Sequence, residues 1–212
     1  MIYVKKPLKL SIYLLLTLAI SIAFATISAA KDLKEIEKNV LRLHITANSD
    51  SAADQELKLK VRDEVLKATS DIFEKAENAD DAAALAESNI NLITETANKV
   101  IAESGFDYGA SAAVATVYFP TKEYEGNIKL PAGEYRALRI ALGSGKGKNW
   151  WCVMFPPVCL SGSIKKDDSK KMTDVLSGGA LELTKPPKTS KAKIRFKSVE
   201  IINGFFNMFR KR

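Results

Sequence analysis

Histidine occurs once in this chain of 212 residues, at His44, and cysteine twice, at Cys152 and Cys159. A zinc site would have to recruit all three plus a carboxylate in an unfamiliar spacing, so neither a metal nor another cofactor is expected. Acid is scarce at both ends. Residues 1–30 hold three lysines and no Asp or Glu, and residues 185–212 set nine Lys or Arg against Glu200 alone. The formal charge of +7 therefore conceals about −4 on residues 31–184. A slightly acidic body with a basic tail is not the pattern of a nucleic-acid binder. The chain has no internal repeat. It also lacks a P-loop: around the lysines of 142–149, Leu142 occupies the first Gly position of GxxxxGK, and Asn149 replaces the Ser or Thr that would hold magnesium.

What is present begins with export. Lys5, Lys6 and Lys9 precede an uncharged run over 10–27, followed by Ser28, Ala29 and Ala30. Basic start, apolar middle and small-residue exit describe a secretory signal. A run of eighteen residues also reaches the lower limit of a membrane span, so residues 1–30 are a signal peptide or an N-terminal anchor. Either way the body lies outside the compartment that made it.

Hydrophobic periodicity orders that body. Leu41, Leu43, Ile45 and Ala47 alternate with Arg42, His44 and Thr46, which predicts a strand with one buried face. Asn48, Ser49, Asp50 and Ser51 break it and offer helix caps. Leu57, Val61, Val65, Ala68 and Ile72 predict an amphipathic helix over 53–76, and an alanine-rich pattern predicts a second to Ser104, ended by Gly105. Strands follow over 111–119, 135–142 and 150–155, the last two joined by a short Gly-containing hairpin connection. The expected fold is α+β and two-layered: a mixed sheet of about four strands with two long helices on one face, in the order β-α-α-β-β-β. Residues 31–160 form this domain, 161–192 a polar linker, and 193–212 a basic amphipathic C-terminal element. That element either closes the sheet or lies at an anionic membrane surface, with Phe205, Phe206 and Phe209 in the lipid boundary and Arg210, Lys211 and Arg212 at head groups.

The densest chemistry is GKGKNWWCVMFPPVC, residues 145–159. Cys152 and Cys159 bracket a Pro-Pro pair. In an exported chain they close a disulfide if their Cα atoms come within about 4.4–6.8 Å; otherwise they are buried thiols. A thiol paired with His44 would make a Cys-His hydrolase acting on peptide or cell wall, although no local nucleophile signature surrounds either cysteine. Trp150 and Trp151 are adjacent and on a strand face opposite ways. One is core; the other is buried on the second face or, beside Phe155, exposed as an aromatic anchor for a partner.

Residues 41–66, LRLHITANSDSAADQELKLKVRDEVL, and 118–159, YFPTKEYEGNIKLPAGEYRALRIALGSGKGKNWWCVMFPPVC, resemble the stage II sporulation protein R family of endospore-forming bacteria. The resemblance implies a non-enzymatic messenger. It would be exported from the forespore into the intermembrane space, where it triggers a membrane-embedded aspartic protease of the mother cell that cleaves a sigma-factor precursor. The surface around Lys146, Lys148, Asn149, Trp150, Trp151 and Phe155 is the first candidate for that contact. The strand-helix corner His44, Asn48, Ser49 and Asp50 is the second.

Overall fold

The computed structural model describes residues 6–124, 128–158 and 168–185. Helix α1 (Lys6–Asn39) leads into strand β1 (Leu41–Thr46). Three helices follow: α2 (Ala52–Phe73), α3 (Ala79–Ser88) and α4 (Ile90–Glu103). Then come β2 (Ala110–Phe119), a hairpin of β3 (Lys122–Tyr124) and β4 (Ile128–Leu130), β5 (Gly133–Leu142) and β6 (Asn149–Phe155). Helices α5 (Asp168–Val175) and α6 (Gly178–Thr184) complete the described residues. The architecture is α+β with a mixed four-stranded sheet, as the periodicity implies.

Strand order is β2-β5-β1-β6. β1 runs parallel to β5 and antiparallel to β6, so β5 and β6 are not the hairpin their short connection suggests. β1 lies between them because all six of its residues are buried, a requirement only a central strand meets. The connection 143–148 therefore has to cross the end of β1.

Register assigns the two faces. Leu43 stands beside Leu138 and Cys152, and Ile45 beside Ile140 and Trp150; their side chains meet the helix layer. Arg136 of β5 bonds Asp80 of α3 on that side, and Arg62 of α2 lies over the Trp150 ring at 4.4 Å. Arg42, His44 and Thr46 point to the opposite face, where Arg42 and His44 meet Phe119, Tyr135, Trp151 and the hairpin residue Tyr124.

Three further departures have local causes. The single alanine-rich helix is two, because Ser88 and Asn89 side chains bond back to the Leu85 carbonyl and offer the chain a turn. The expected linker contains α5 and α6, whose Met172, Ala180 and Leu183 are buried, and α6 packs on α1 and β4. Helix α1 continues past the apolar run without a break. Its residues over 10–27 are mostly exposed, whereas Ala29, Leu33 and Ile36 are buried in the body's core. The basic element 193–212, including Phe205, Phe206, Phe209, Arg210, Lys211 and Arg212, lies outside the described residues.

Candidate functional site

The two candidate patches, about a hundred residues apart in sequence, are one site. Because 143–148 crosses the end of β1, it lands on the corner 48–50. The Ser144 amide donates to Asn48 Oδ1 at 2.9 Å and its hydroxyl to the Asn48 carbonyl at 2.8 Å. The Gly147 amide donates to the Ala47 carbonyl at 2.8 Å. The Lys148 amide donates to Asp50 Oδ1 at 2.7 Å. Gly143 and Gly145 take φ of 53° and 61°, which glycine reaches without steric cost. A Cβ on Gly147 would overlap the Ser49 carbonyl.

A second layer of bonds holds the corner from beneath. Buried Asp54, in the first turn of α2, accepts from Asn48, from the Ser49 hydroxyl and from the Tyr108 hydroxyl. The Ser49 and Tyr108 bonds hold its carboxyl below the usual carboxylate range. Ser51 caps the helix by accepting the Asp54 amide at 3.1 Å. One turn on, buried Lys58 donates to the Lys148 carbonyl at 2.9 Å and to Gln55 at 2.7 Å. Asp54, Lys58 and Tyr108 are positioning residues that periodicity does not flag. A signal for Asp54 exists in its place three residues after Ser51, at the start of the amphipathic pattern.

His44 joins the strand to this assembly. Its Nε2 lies 2.8 Å from Asn149 Oδ1, and an imidazole protonated at Nε2 donates to that amide oxygen. The imidazole stacks on Trp151 with centroids 4.1 Å apart and planes 5° from parallel, and Trp151 in turn packs on Phe119 at 4.6 Å. Trp150 and Trp151 are both half-buried on opposite faces, while Lys146, Lys148, Asn149 and Asp50 are exposed. Phe155 does not belong to this surface. It is 5% exposed, in the core at the other end of β6 beside Leu41, so the expectation that it forms part of the anchor is corrected.

Burial pushes the His44 pKa below its ordinary value; the Asn149 bond opposes this and the Arg139 charge adds to it. The folded state thus binds fewer protons than the unfolded chain, and stability rises with pH across this titration. It is fully present above about pH 6.5 and is lost as pH falls toward the folded-state value. The melting midpoint should drop between about pH 6.5 and 5 by more in the wild type than in His44→Gln. Parallel curves for the two proteins would refute a role for this imidazole.

Chemically the site is built to hold a shape. Cys152 points to the helix layer and His44 to the opposite face, and Cys152 is disulfide-bonded. It is therefore not a thiolate within reach of the imidazole. The chain's other cysteine, Cys159, lies outside the described residues. Among the described residues no group of three His, Cys, Asp or Glu could hold a metal ion.

The chain thus joins an apolar N-terminal helix to an α+β body that carries a hydrogen-bonded polar and aromatic corner at one end of its sheet. The family model for stage II sporulation protein R matches residues 37–165. Stage II sporulation protein R of Bacillus subtilis (strain 168) is 35% identical over 188 residues, covering 81% of this chain and 84% of that protein. No solved structure matches. This chain belongs to the stage II sporulation protein R family.

Proposed function

We propose that this chain is an exported sporulation messenger whose locked corner binds and activates a membrane-embedded aspartic protease of the mother cell across the intermembrane space. Cleavage of the mother-cell sigma-factor precursor is the consequence. A ligand shifts an equilibrium only by its differential affinity for the two states. The messenger must therefore fit the active arrangement of the protease better than the resting one. A rigid surface is suited to that task, because little ordering cost is deducted from its contact energy.

The observation that carries this reading is the fusion of the 143–149 loop with the 48–50 corner into one hydrogen-bonded unit. What supports binding over a Cys-His hydrolase is the placement of Cys152 and His44 on opposite faces of the sheet. Within the surface, Trp151 is the anchor: it is half-buried, aligned by His44 and backed by Phe119. Trp150 is instead held on the helix side under Arg62.

Replacing Trp151 by alanine in an exported, folded protein should cut precursor processing at least about tenfold, the loss of a modest binding hot spot. Trp150→Ala should act through stability and leave processing largely intact once protein levels are matched. Immunoblots of precursor and mature sigma factor decide the matter. Full processing with Trp151→Ala, at matched levels, would remove the corner from the mechanism.

A further inference from the structure

Among the described residues the four-stranded sheet ends on one side in β2, whose outer edge carries none of the devices that protect exposed strands. Its sequence ASAAVATVYF contains no charge and no proline, and it pairs with β5 without register shift from Ala110 to Phe119. Lysines, prolines, bulges and short length are the usual protection against edge pairing. At ten residues β2 is also longer than the common strand. Among the described residues Tyr118 at 43% and Leu92 at 41% are the exposed large apolar side chains of the body, and Tyr118 stands on this strand.

Hydrogen bonding shows which groups face outward. The Gly143 amide donates to the Gly109 carbonyl at 2.8 Å, extending the β2–β5 ladder, while the Ala110 amide turns away from β5 to Asn98 Oδ1 at 2.7 Å. Bonded and non-bonded residues alternate along an antiparallel pair. The odd-numbered residues therefore bond β5, and Ala112, Val114, Thr116 and Tyr118 present amide and carbonyl to the outside.

We propose that this edge is a homodimerisation site whose occupant is β2 of a second copy, the two sheets joining antiparallel about a two-fold axis at Ala115. That register places Ala112 against Tyr118 of the second copy and Val114 against its Thr116, so every outward group from 112 to 118 finds a partner. On the other face Ala113 meets Val117 of the second copy and Ala115 meets its counterpart. Alanine stands opposite Tyr118 and opposite Val117, while Val114 and Thr116 are β-branched residues of like size. No like charges oppose, because the strand has none. A second copy fits better than an arbitrary peptide because strand length, outward-group parity and side-chain sizes are self-complementary under one symmetry operation.

The test uses the full chain in detergent, with single cysteines added at Ala115 and at Ala113. Across a non-hydrogen-bonded pair the Cβ atoms at 115 would lie about 5 Å apart. Those at 113 would be offset by four residues, about 13 Å along the strands. A short bismaleimide should therefore cross-link Ala115→Cys to a covalent dimer at least about fivefold more efficiently than Ala113→Cys, a contrast those distances set. Val114→Pro removes an outward amide without touching the β5 ladder, and proline is tolerated at such an edge. It should convert the dimer to monomer in sedimentation while keeping the wild-type circular dichroism. A chain that is monomeric at all concentrations overturns the proposal. So does a dimer that cross-links equally from both positions or survives Val114→Pro, since it would be held by another surface.

Discussion

Gly147→Ala should lower the melting midpoint by roughly 5–10 °C, the shift that about 2–4 kcal/mol produces in a domain of this size, and should abolish most sigma-factor precursor processing. The added Cβ would overlap the Ser49 carbonyl. That obstacle is backbone at the hinge of the corner, so no side-chain rotation relieves it. The loop has to lift instead, and the bonds it carries are coupled. The Gly147 amide leaves the Ala47 carbonyl, the Lys148 amide leaves Asp50, and the Lys148 carbonyl abandons buried Lys58. That leaves the buried ammonium with Gln55 alone, and a buried charge that loses a hydrogen-bond acceptor is costly. Thermal melts and sigma-factor immunoblots on the same variant give the answer. A wild-type melting midpoint would show that the loop has room to move, and the locked-corner account would fail.

Arg42→Ala should cost about 3–5 kcal/mol in urea denaturation, whereas Arg42→Met should stay within about 1.5 kcal/mol of wild type. The Arg42 side chain is fully buried, and among the described residues no carboxylate pairs with it. Its described hydrogen bond goes to the Tyr124 hydroxyl, and among the described residues its Nε and Nη1 meet no hydrogen-bond partner. The guanidinium lies 3.9 Å from the Phe119 ring centre, 4.7 Å from that of Tyr135 and 5.8 Å from that of Tyr124. Cation–π attraction offsets part of the desolvation cost, and that same desolvation depresses the Arg42 pKa. The net worth of the charge is therefore small, while the volume it fills between three aromatic rings is large. Methionine restores most of that volume with soft, adaptable contacts; alanine leaves a cavity. Equal losses for the two variants would mean that the charge itself sustains this face.

Much of the fold was legible because the signals that specify it are local. Alternation in β1, β2, β5 and β6 and the helical spacing of Leu57, Val61 and Val65 fixed the element types. The rest depended on distant partners. Arg42, His44 and Thr46 read as the solvated side of β1, yet all three are buried, and rings from β2, β5, β6 and the β3–β4 hairpin cover Arg42 and His44. Strands of three residues, as in that hairpin, are too short to display a period. Strand order was hidden for a similar reason. A short glycine-bearing connection implies neighbours, and only the double-sided burial of β1 explains why another strand separates β5 from β6. The site was legible as residues but not as a place. Both patches carried unusual chemistry, and their meeting follows from strand order, which no window of sequence contains.

Helix α1 also bears on how the body is displayed. A cut after Ala30 would leave Leu33 and Ile36 seated in the body, so a processed molecule keeps its last turns and diffuses as an intact domain. An uncut molecule is a different mechanical object. Its greasy segment and its seated segment are the same rod, so the sheet would ride on a stiff mast, and the tilt of that mast in the bilayer would dictate which way the tryptophan corner looks.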